Sequence, residues 1–406
     1  MQTALPAFFL VLFIGLFSST LLKKLHLPWV AALILGGIAI GPHGLGFFES
    51  DSTIEFISDL GLIFLMFMAG LEVKLSSFKE SAPSLFLLSL VNGLIPFVAG
   101  LAIAYYYGYS FTTLLLLGTV FISSSVAVVI PTLEANDLFD LKIGRAVTTT
   151  SIIQDVLSLI LLSVLLQDIK PVSNLPPYFF YPLLLAIVVG LRLLLPKLQA
   201  FVADLTAGDD PFQDQLRSVF LVLLGTVILF EVLGLHPIVG GFFAGVVLSE
   251  TIDDEVLKAK IRALSYGFFI PTFFVYVGTQ TDVSLLFEVN SSLPLILLIV
   301  FGSILSKFLS GWLGAWLVGF NPSEGAFFGA SSIPQLSTTL AVAHTARSVG
   351  LMDDKLITAL VVLSMVSTLV GPALMVYFRD AEFLSLRRED SGRFVKGLRS
   401  LLRRDA

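Results

Sequence analysis

The sequence contains no cysteine, which removes disulfides, thiolate metal sites and thiol catalysis while leaving the redox compartment open. Charge is scarce as well: 13% of residues are Asp, Glu, Lys or Arg, against about 25% in soluble domains. With 56% hydrophobic residues and a mean hydropathy of +0.93, the 406-residue chain has too few polar groups to cover a surface facing water. It belongs in a bilayer. No basic stripe alternates with aromatic residues and the net charge is −6, so nothing indicates nucleic acid as a partner. The spans also lack His-Glu-x-x-His, Gly-x-Ser-x-Gly, P-loop and Asp-rich prenyl-diphosphate motifs. No cofactor and no enzymatic activity are expected.

What the chain has instead is apolar length. A spanning helix needs about 20 apolar residues, and Gly, Pro and charge mark the connections. Thirteen spans are predicted, over 5–22, 28–43, 54–71, 84–107, 112–133, 143–166, 178–197, 214–233, 236–250, 260–278, 293–318, 323–345 and 355–378. The first lacks a basic stretch before it and a small-residue cleavage site after it, so it is read as a retained span and not a signal peptide. Lys and Arg then set the orientation. With the N-terminus outside, twenty of the 24 basic residues fall on cytoplasmic loops, the inner end of span seven or the tail, and only Lys170, Arg347 and Lys355 fall outside. The expectation is a multi-pass protein of the cell membrane, N-terminus exterior and C-terminus cytoplasmic.

The remaining basic residue, Lys307, lies inside span eleven, and an acid, Asp155, lies near the middle of span six. A charge at the bilayer centre costs about 3 kcal/mol on insertion scales, and such residues mark ion or proton paths. A protonated or hydrogen-bonded structural aspartate is the alternative. Helical spacing puts Ser151 and Ser158 beside Asp155, with Leu159 and Leu162 towards one end. For Lys307 three roles stay open: a partner of Asp155, a cation holding the negative ends of broken helices, or half of a structural ion pair. Glu231, His236 and His344 lie near outer span ends and read as interfacial residues, not ligands. The acids Asp209, Asp210, Asp214, Asp253, Asp254 and Glu255 read as solvated loop residues or helix caps.

An internal repeat runs through the chain. Leu25-His-Leu-Pro28 with Gly36, Gly37 and Gly41 is echoed by Leu235-His-Pro237 with Gly240, Gly241 and Gly245, and Phe64–Glu72 is echoed by Phe273–Asp282. These echoes pair spans 2 and 3 with spans 9 and 10. An offset of seven crossings is odd, so the halves are expected to insert upside down relative to each other, a transporter signature. The same offset pairs two unusual spans. Span 5 carries Ser123, Ser124 and Ser125 before Pro131, and span 12 carries Ser331, Ser332, Pro334, Gln335, Ser337, Thr338 and Thr339. Proline removes a backbone donor, and hydroxyl residues in apolar helices also serve as ordinary interhelical hydrogen-bonders. Breaks at matching positions of two halves mark a site where carbonyls and hydroxyls can take a dehydrated cation.

Leu25-His-Leu-Pro28, Gly36–Gly46, Leu60–Glu72, and the block Ser123-Ser-Ser125, Gly144-Arg145, Gln154-Asp155 together resemble the Kef-type branch of the monovalent cation:proton antiporters. The resemblance covers nearly all thirteen spans, and Gln154-Asp155 downstream of the Ser-rich break is its most specific part. It implies that Asp155 alternately binds the cation (Na⁺ or K⁺) and protons, and that the breaks form a helix crossing. It further implies a homodimer, with 1–83 and 214–292 as a dimerisation subdomain, 84–167 and 293–378 as a moving core, 168–213 as a linker helix and loop, and 379–406 as a basic cytoplasmic tail. Lys307 matches the basic residue of the helix before the second crossing. Pro334-Gln335-Leu336-Ser337 stands where many relatives carry a charged Arg-Gly-Glu or Gly-Gly-Glu motif.

The reading of the sequence is an all-α membrane protein of about thirteen transmembrane helices, with inverted repeats and two crossed broken helices. Its expected function is antiport of a monovalent cation against H⁺ at Asp155 and Gln154, with Ser123, Ser124, Ser125, Ser151 and Ser158 around them. Lys307 compensates charge, and Pro334, Gln335, Ser337 and Thr338 form the second crossing. One acid beside a neutral Gln154 favours one-for-one, electroneutral exchange, although Lys307 offers a second proton carrier. Other classes are a gated cation channel, which would move no protons in return, and a membrane receptor or scaffold, which would collapse neither gradient.

Overall fold

A computed structural model gives the fold and describes residues 4–23, 29–48, 52–71, 83–134, 136, 138–139, 141–169, 190, 197, 214–232, 237–249, 252, 254–287 and 292–402. Among them every regular element is helical. In chain order these are α1 (Ala4–Lys23), α2 (Trp29–Ile40), α3 (Ser52–Leu71), α4 (Pro83–Tyr106), α5 (Phe111–Ile122), α6 (Val126–Glu134), α7 (Lys142–Ile169) and α8 (Asp214–Val232). There follow α9 (Pro237–Leu248), α10 (Glu255–Leu264), α11 (Ile270–Thr279), α12 (Leu293–Leu317), α13 (Pro322–Ser332), α14 (Ser337–Ser348) and α15 (Asp354–Leu402). A π-turn, Ser265–Phe269, joins α10 to α11 as one rod. Twelve of the thirteen expected spans are met by these helices; the seventh, 178–197, lies outside the described residues apart from two positions. The tail expected from 379 continues α15 to Leu402.

Why these helices belong in lipid is clearest on α12. Phe301, Leu305, Leu309, Trp312 and Trp316 form its exposed stripe, while Ser303, Ser306, Lys307, Ser310 and Gly314 are buried. The spacing of both stripes is helical, but the polarity is the reverse of a water-soluble protein. Seven of the described helices are each long and apolar enough to cross a bilayer. Helix association in lipid draws on close packing and not on apolar burial, so small residues sit at the contacts.

The close contacts are reciprocal. A side chain at Gly37 of α2 would overlap the Val275 carbonyl beside Gly278 of α11, and one at Gly278 would overlap the Ile34 carbonyl beside Gly37. Gly70 of α3 and Gly245 of α9 face each other in the same way, against the carbonyls of Phe242 and Phe67. The partners share one register, since 245 − 37 and 278 − 70 are both 208. The sequence echo set Gly37 against Gly241; the contacts set it against Gly245, about one turn further. Glycines spaced a turn apart present the same face, so sequence spacing alone does not separate the two registers.

A second register, 211, relates α4–α6 to α12–α14. Gly100 packs on Gly118 and Gly311 on Gly329, and 311 − 100 and 329 − 118 are both 211. The turns match too: Gly108 (φ 74°) and Gly319 (φ 92°) both occupy the left-handed region, which glycine enters without a steric penalty. Ser110 caps α5 and Asn321 caps α13, again at that spacing. Such reciprocal contacts are what a two-fold relation between halves produces.

The helices pack as two groups. α2 lies along α11 and α3 along α9, flanked by α1 and α8; α4, α5, α12, α13 and α15 form the other group, with α7 and α14 against them. The seam between them is apolar at depth, where Val126, Ile152, Leu336, Leu340 and Val361 join the cluster of α2, α3, α9 and α11. At one end the seam turns polar. His344 of α14 meets Asp59 of α3 at 2.9 Å, and Arg347 donates to the Gln280 carbonyl at 2.8 Å. A cavity of about 270 Å³ opens there, lined by Glu55, Tyr276, His344, Arg347, Leu340 and Val361 among others.

Candidate ion-binding site

Both broken helices come apart where the sequence removes backbone partners. α5 ends at Ile122 and Ser123 turns extended, with its hydroxyl donating back to the Val120 carbonyl at 3.1 Å. Short hydroxyl side chains compete with the helical ladder in this way. α13 ends at Ser332; Pro334 supplies no N–H, and its ring occupies the space a side chain at Gly371 of α15 would need. α14 then begins at Ser337.

The two non-helical segments meet and hold each other. The Ser125 N–H donates to the Pro334 carbonyl at 2.7 Å. The Ser124 hydroxyl donates to the Ser332 carbonyl at 3.4 Å, and the Gln335 Nε2 donates to the Phe121 carbonyl, also at 3.4 Å. These last two bonds are images of each other in the 211 register, since 335 − 124 and 332 − 121 both equal it. Ser123 and Thr339 share a hydroxyl contact at 3.4 Å. Each break thereby ties up carbonyls that the other leaves without an intrahelical donor.

Asp155, on α7, lies against this crossing and is 5% exposed. Thr338 in the first turn of α14 donates to its Oδ1 at 3.3 Å, and the backbone N–H groups of Ser124 and Val126, at the start of α6, also face the carboxylate. The acid therefore sits where the positive ends of two half-helices converge, a placement that favours an anion. Lys307 lies at an end of opposite sign. Fully buried, it donates to the Ile122 carbonyl at 2.5 Å and to Gln154 Oε1 at 3.1 Å, and no ion pair joins it to Asp155. Its hydrogen bonds thus run to the carbonyl end of α5 and to Gln154.

The residues from 8 to 376 match the transmembrane region of the sodium/hydrogen exchangers. The chain belongs to that family. It is a transporter family, so the chain is a multi-pass membrane transporter and not an enzyme. It is 32% identical over 377 residues to "Probable Na(+)/H(+) antiporter 3" of Methanocaldococcus jannaschii, with 92% of this chain and 96% of that protein covered. The Na(+)/H(+) antiporter of Enterococcus hirae is 27% identical, over 91% of this chain and 96% of its own. The Na(+)/H(+)-K(+) antiporter GerN of Bacillus cereus is 26% identical, over 87% and 90%. Among solved structures, the sodium proton antiporter MjNhaP1 from Methanocaldococcus jannaschii at pH 8 shares the fold, with a TM-score of 0.70 over 95% of this chain and 99% of that one at 20% identity.

Within this exchanger-family fold the expected site residues divide. Asp155, Gln154, Ser123, Ser124, Ser125, Lys307, Pro334, Gln335 and Thr338 gather at the crossing, and the Ser151 hydroxyl reaches that of Ser124 at 3.5 Å. Ser158 does not address the carboxyl group: its hydroxyl donates to the Asp155 main-chain carbonyl at 2.9 Å. Ser337 is buried at the start of α14. Among the described residues no three His, Asp or Glu side chains cluster to hold a metal ion, so oxygen ligands beyond the one acid would be hydroxyl and carbonyl groups. Two of the buried polar atoms without a protein partner, Ser125 Oγ and Gln154 Nε2, belong to this site.

Other polar residues at the crossing escaped the sequence reading. Asn92 of α4 donates to the Ser332 hydroxyl at 2.9 Å and accepts from Ser310 at 2.8 Å. Ser303 donates to Gln335 Oε1 at 3.2 Å. Ser367 of α15 accepts the Gln335 N–H at 3.1 Å. Asn92 carried a signal, since an amide in the apolar run Pro83–Tyr106 stands out as Lys307 does. Ser303 and Ser367 carried none beyond being serines.

Proposed function

We propose that the chain is an antiporter exchanging a monovalent cation, Na⁺ or K⁺, for H⁺ across the cell membrane, with one shared carrier at Asp155. The observation that carries this is the lone buried carboxylate at two converging positive helix ends, with the nearby lysine engaged elsewhere. Ionised, Asp155 binds the cation together with the Thr338 hydroxyl, the spare Ser125 hydroxyl and main-chain carbonyls of the crossing. Protonated, it has nothing to offer a cation. The two species take turns.

Coupling follows from the seam. For the α4–α7 and α12–α15 group to move against the other, the site must pass Leu336, Leu340, Val126 and Ile152, an apolar surface. Carrying a bare carboxylate through such surroundings costs several kcal/mol, whereas a neutralised one passes more readily. An empty, ionised site therefore stays put, and a loaded one exchanges sides. One acid moves one proton equivalent per cation, so the exchange is electroneutral. The halves insert inverted, with the N-terminus outside and the C-terminus in the cytoplasm. The α1–α3 and α8–α11 group forms the homodimer contact, where apolar faces such as Leu5, Phe9, Phe13, Leu221, Ile228 and Val232 stand exposed. The names of the relatives, Na(+)/H(+) antiporters and one Na(+)/H(+)-K(+) antiporter, support this reading.

The test is dissipation of a pH gradient in proteoliposomes, with Na⁺, K⁺ and Li⁺ titrated separately. Wild type is expected to collapse the gradient with at least one of them at a rate that an imposed membrane potential barely changes, and Asp155→Asn to abolish the effect. Retained exchange in D155N removes Asp155 as carrier. Cation flux without proton return would identify a channel.

A further inference from the structure

Asp155 has a counterpart in the second half. α7 begins at Lys142 and α15 at Asp354, a difference of 212, and the same difference carries Asp155 onto Ser367. The equivalence extends to what the two side chains touch. Asp155 is faced by the backbone N–H of Ser124 in the first break, and Ser367 accepts the backbone N–H of Gln335, the counterpart of Ser124 in the 211 register, in the second. Ser367 is fully buried, and its hydroxyl also lies 3.2 Å from the Gln335 carbonyl and 3.3 Å from that of Ser364. One scaffold position thus carries a carboxylate in one half and a neutral hydroxyl in the other.

We propose that Ser367 is the positioning residue of the second crossing and acts on the ion site through Gln335; this rests on the antiport reading for its transport readout. Gln335 needs an anchor. It lies in the unwound segment, and its side chain bridges the Phe121 carbonyl and Ser303, so its main chain sets where the end of α5 is capped. Three residues on, Thr338 donates to Asp155. Releasing the Gln335 main chain moves the start of α14, and with it the hydroxyl on the carboxylate, while leaving every charge in place.

The experiment uses the full chain in proteoliposomes with Na⁺ as probe and compares wild type, Ser367→Ala, Ser367→Thr and Ser367→Cys. S367A is expected to raise the half-saturating Na⁺ concentration about five- to tenfold, the weight of a buried backbone hydrogen bond, and to shift the pH profile of exchange. S367T, which keeps the hydroxyl, restores both. S367C has nearly the same volume with a poorly bonding thiol and falls between them, which covers the case in which S367A fails to fold. Protection of the purified protein against heat by Na⁺ reads binding separately, because a ligand stabilises the state that holds it. Unchanged half-saturation and pH profile in S367A or S367C, whatever the maximal rate, overturns the proposal, as does S367T behaving like S367A. A wild type that Na⁺ protects but that exchanges nothing overturns the antiport reading, and heat protection then decides on Ser367 alone.

Discussion

A buried lysine near a buried aspartate ordinarily pairs with it, and removing one member of such a pair costs about 3–5 kcal/mol by stranding the other. Lys307 has different partners here, the Ile122 carbonyl and Gln154. The consequence is an asymmetry between two substitutions. Asp155→Asn keeps a group that Thr338 can bond and leaves both hydrogen bonds of Lys307 in place, so its unfolding free energy in detergent is expected within about 1 kcal/mol of wild type. Lys307→Ala strips the end of α5 and leaves two buried acceptors unpaired, at a cost of at least about 2 kcal/mol. Equal losses in both variants would indicate a direct pair. Ser125→Ala separates binding from stability in the other direction. Its hydroxyl bonds to nothing in the protein, so S125A is expected to melt as wild type does while the apparent KM for the cation rises several-fold. Both charges were legible in the sequence because a charge inside an apolar run has no ordinary explanation. Ser303 and Ser367 were not, since a serine in a membrane helix is commonplace and only the fold shows what it faces.

At the scale of helices, the contacts rest on absent side chains. Gly37→Ala and Gly70→Ala each push a methyl group into a carbonyl of the opposing helix, and overpacking of this kind costs about 1–3 kcal/mol. Gly225→Ala on α8 meets nothing within 4 Å and is expected to be neutral or to stabilise by up to about 1 kcal/mol. Heat-stability measurements on the three variants check this; a G37A protein as stable as G225A would mean that α2 and α11 are not held in contact at that position. The breaks themselves were readable from Ser-Ser-Ser and from Pro334, because each removes or redirects a backbone bond. Gly100, Gly108 and Gly118 recur as Gly311, Gly319 and Gly329 with identical spacing, a register the sequence reading passed over. It stayed hidden because the residues at the breaks differ, with Ser124 answered by Gln335.

For the molecule as a whole, the proposed exchange requires movement at the seam between the two helix groups. His344 and Asp59 face each other across it at 2.9 Å. A chain without cysteine makes the test clean: in Asp59→Cys with His344→Cys, a short reducible thiol crosslinker is expected to stop exchange, and reduction to restore it. Full exchange by the crosslinked protein would mean that this edge does not open. Which helices neighbour which could not be read from periodicity, since helices apolar all round show no preferred face; only the inside-out stripe of α12 and the glycine spacings held that information. The crossing carries one more consequence. Its opposing partial charges belong to the ends of α5, α6, α13 and α14, that is, to peptide groups and not to side chains, so substitutions leave the electrostatic template standing. A chain that shares a fifth of its residues with MjNhaP1 keeps the same fold, and under the proposed antiport the hydroxyls around the acid are free to drift and to retune which cation fits.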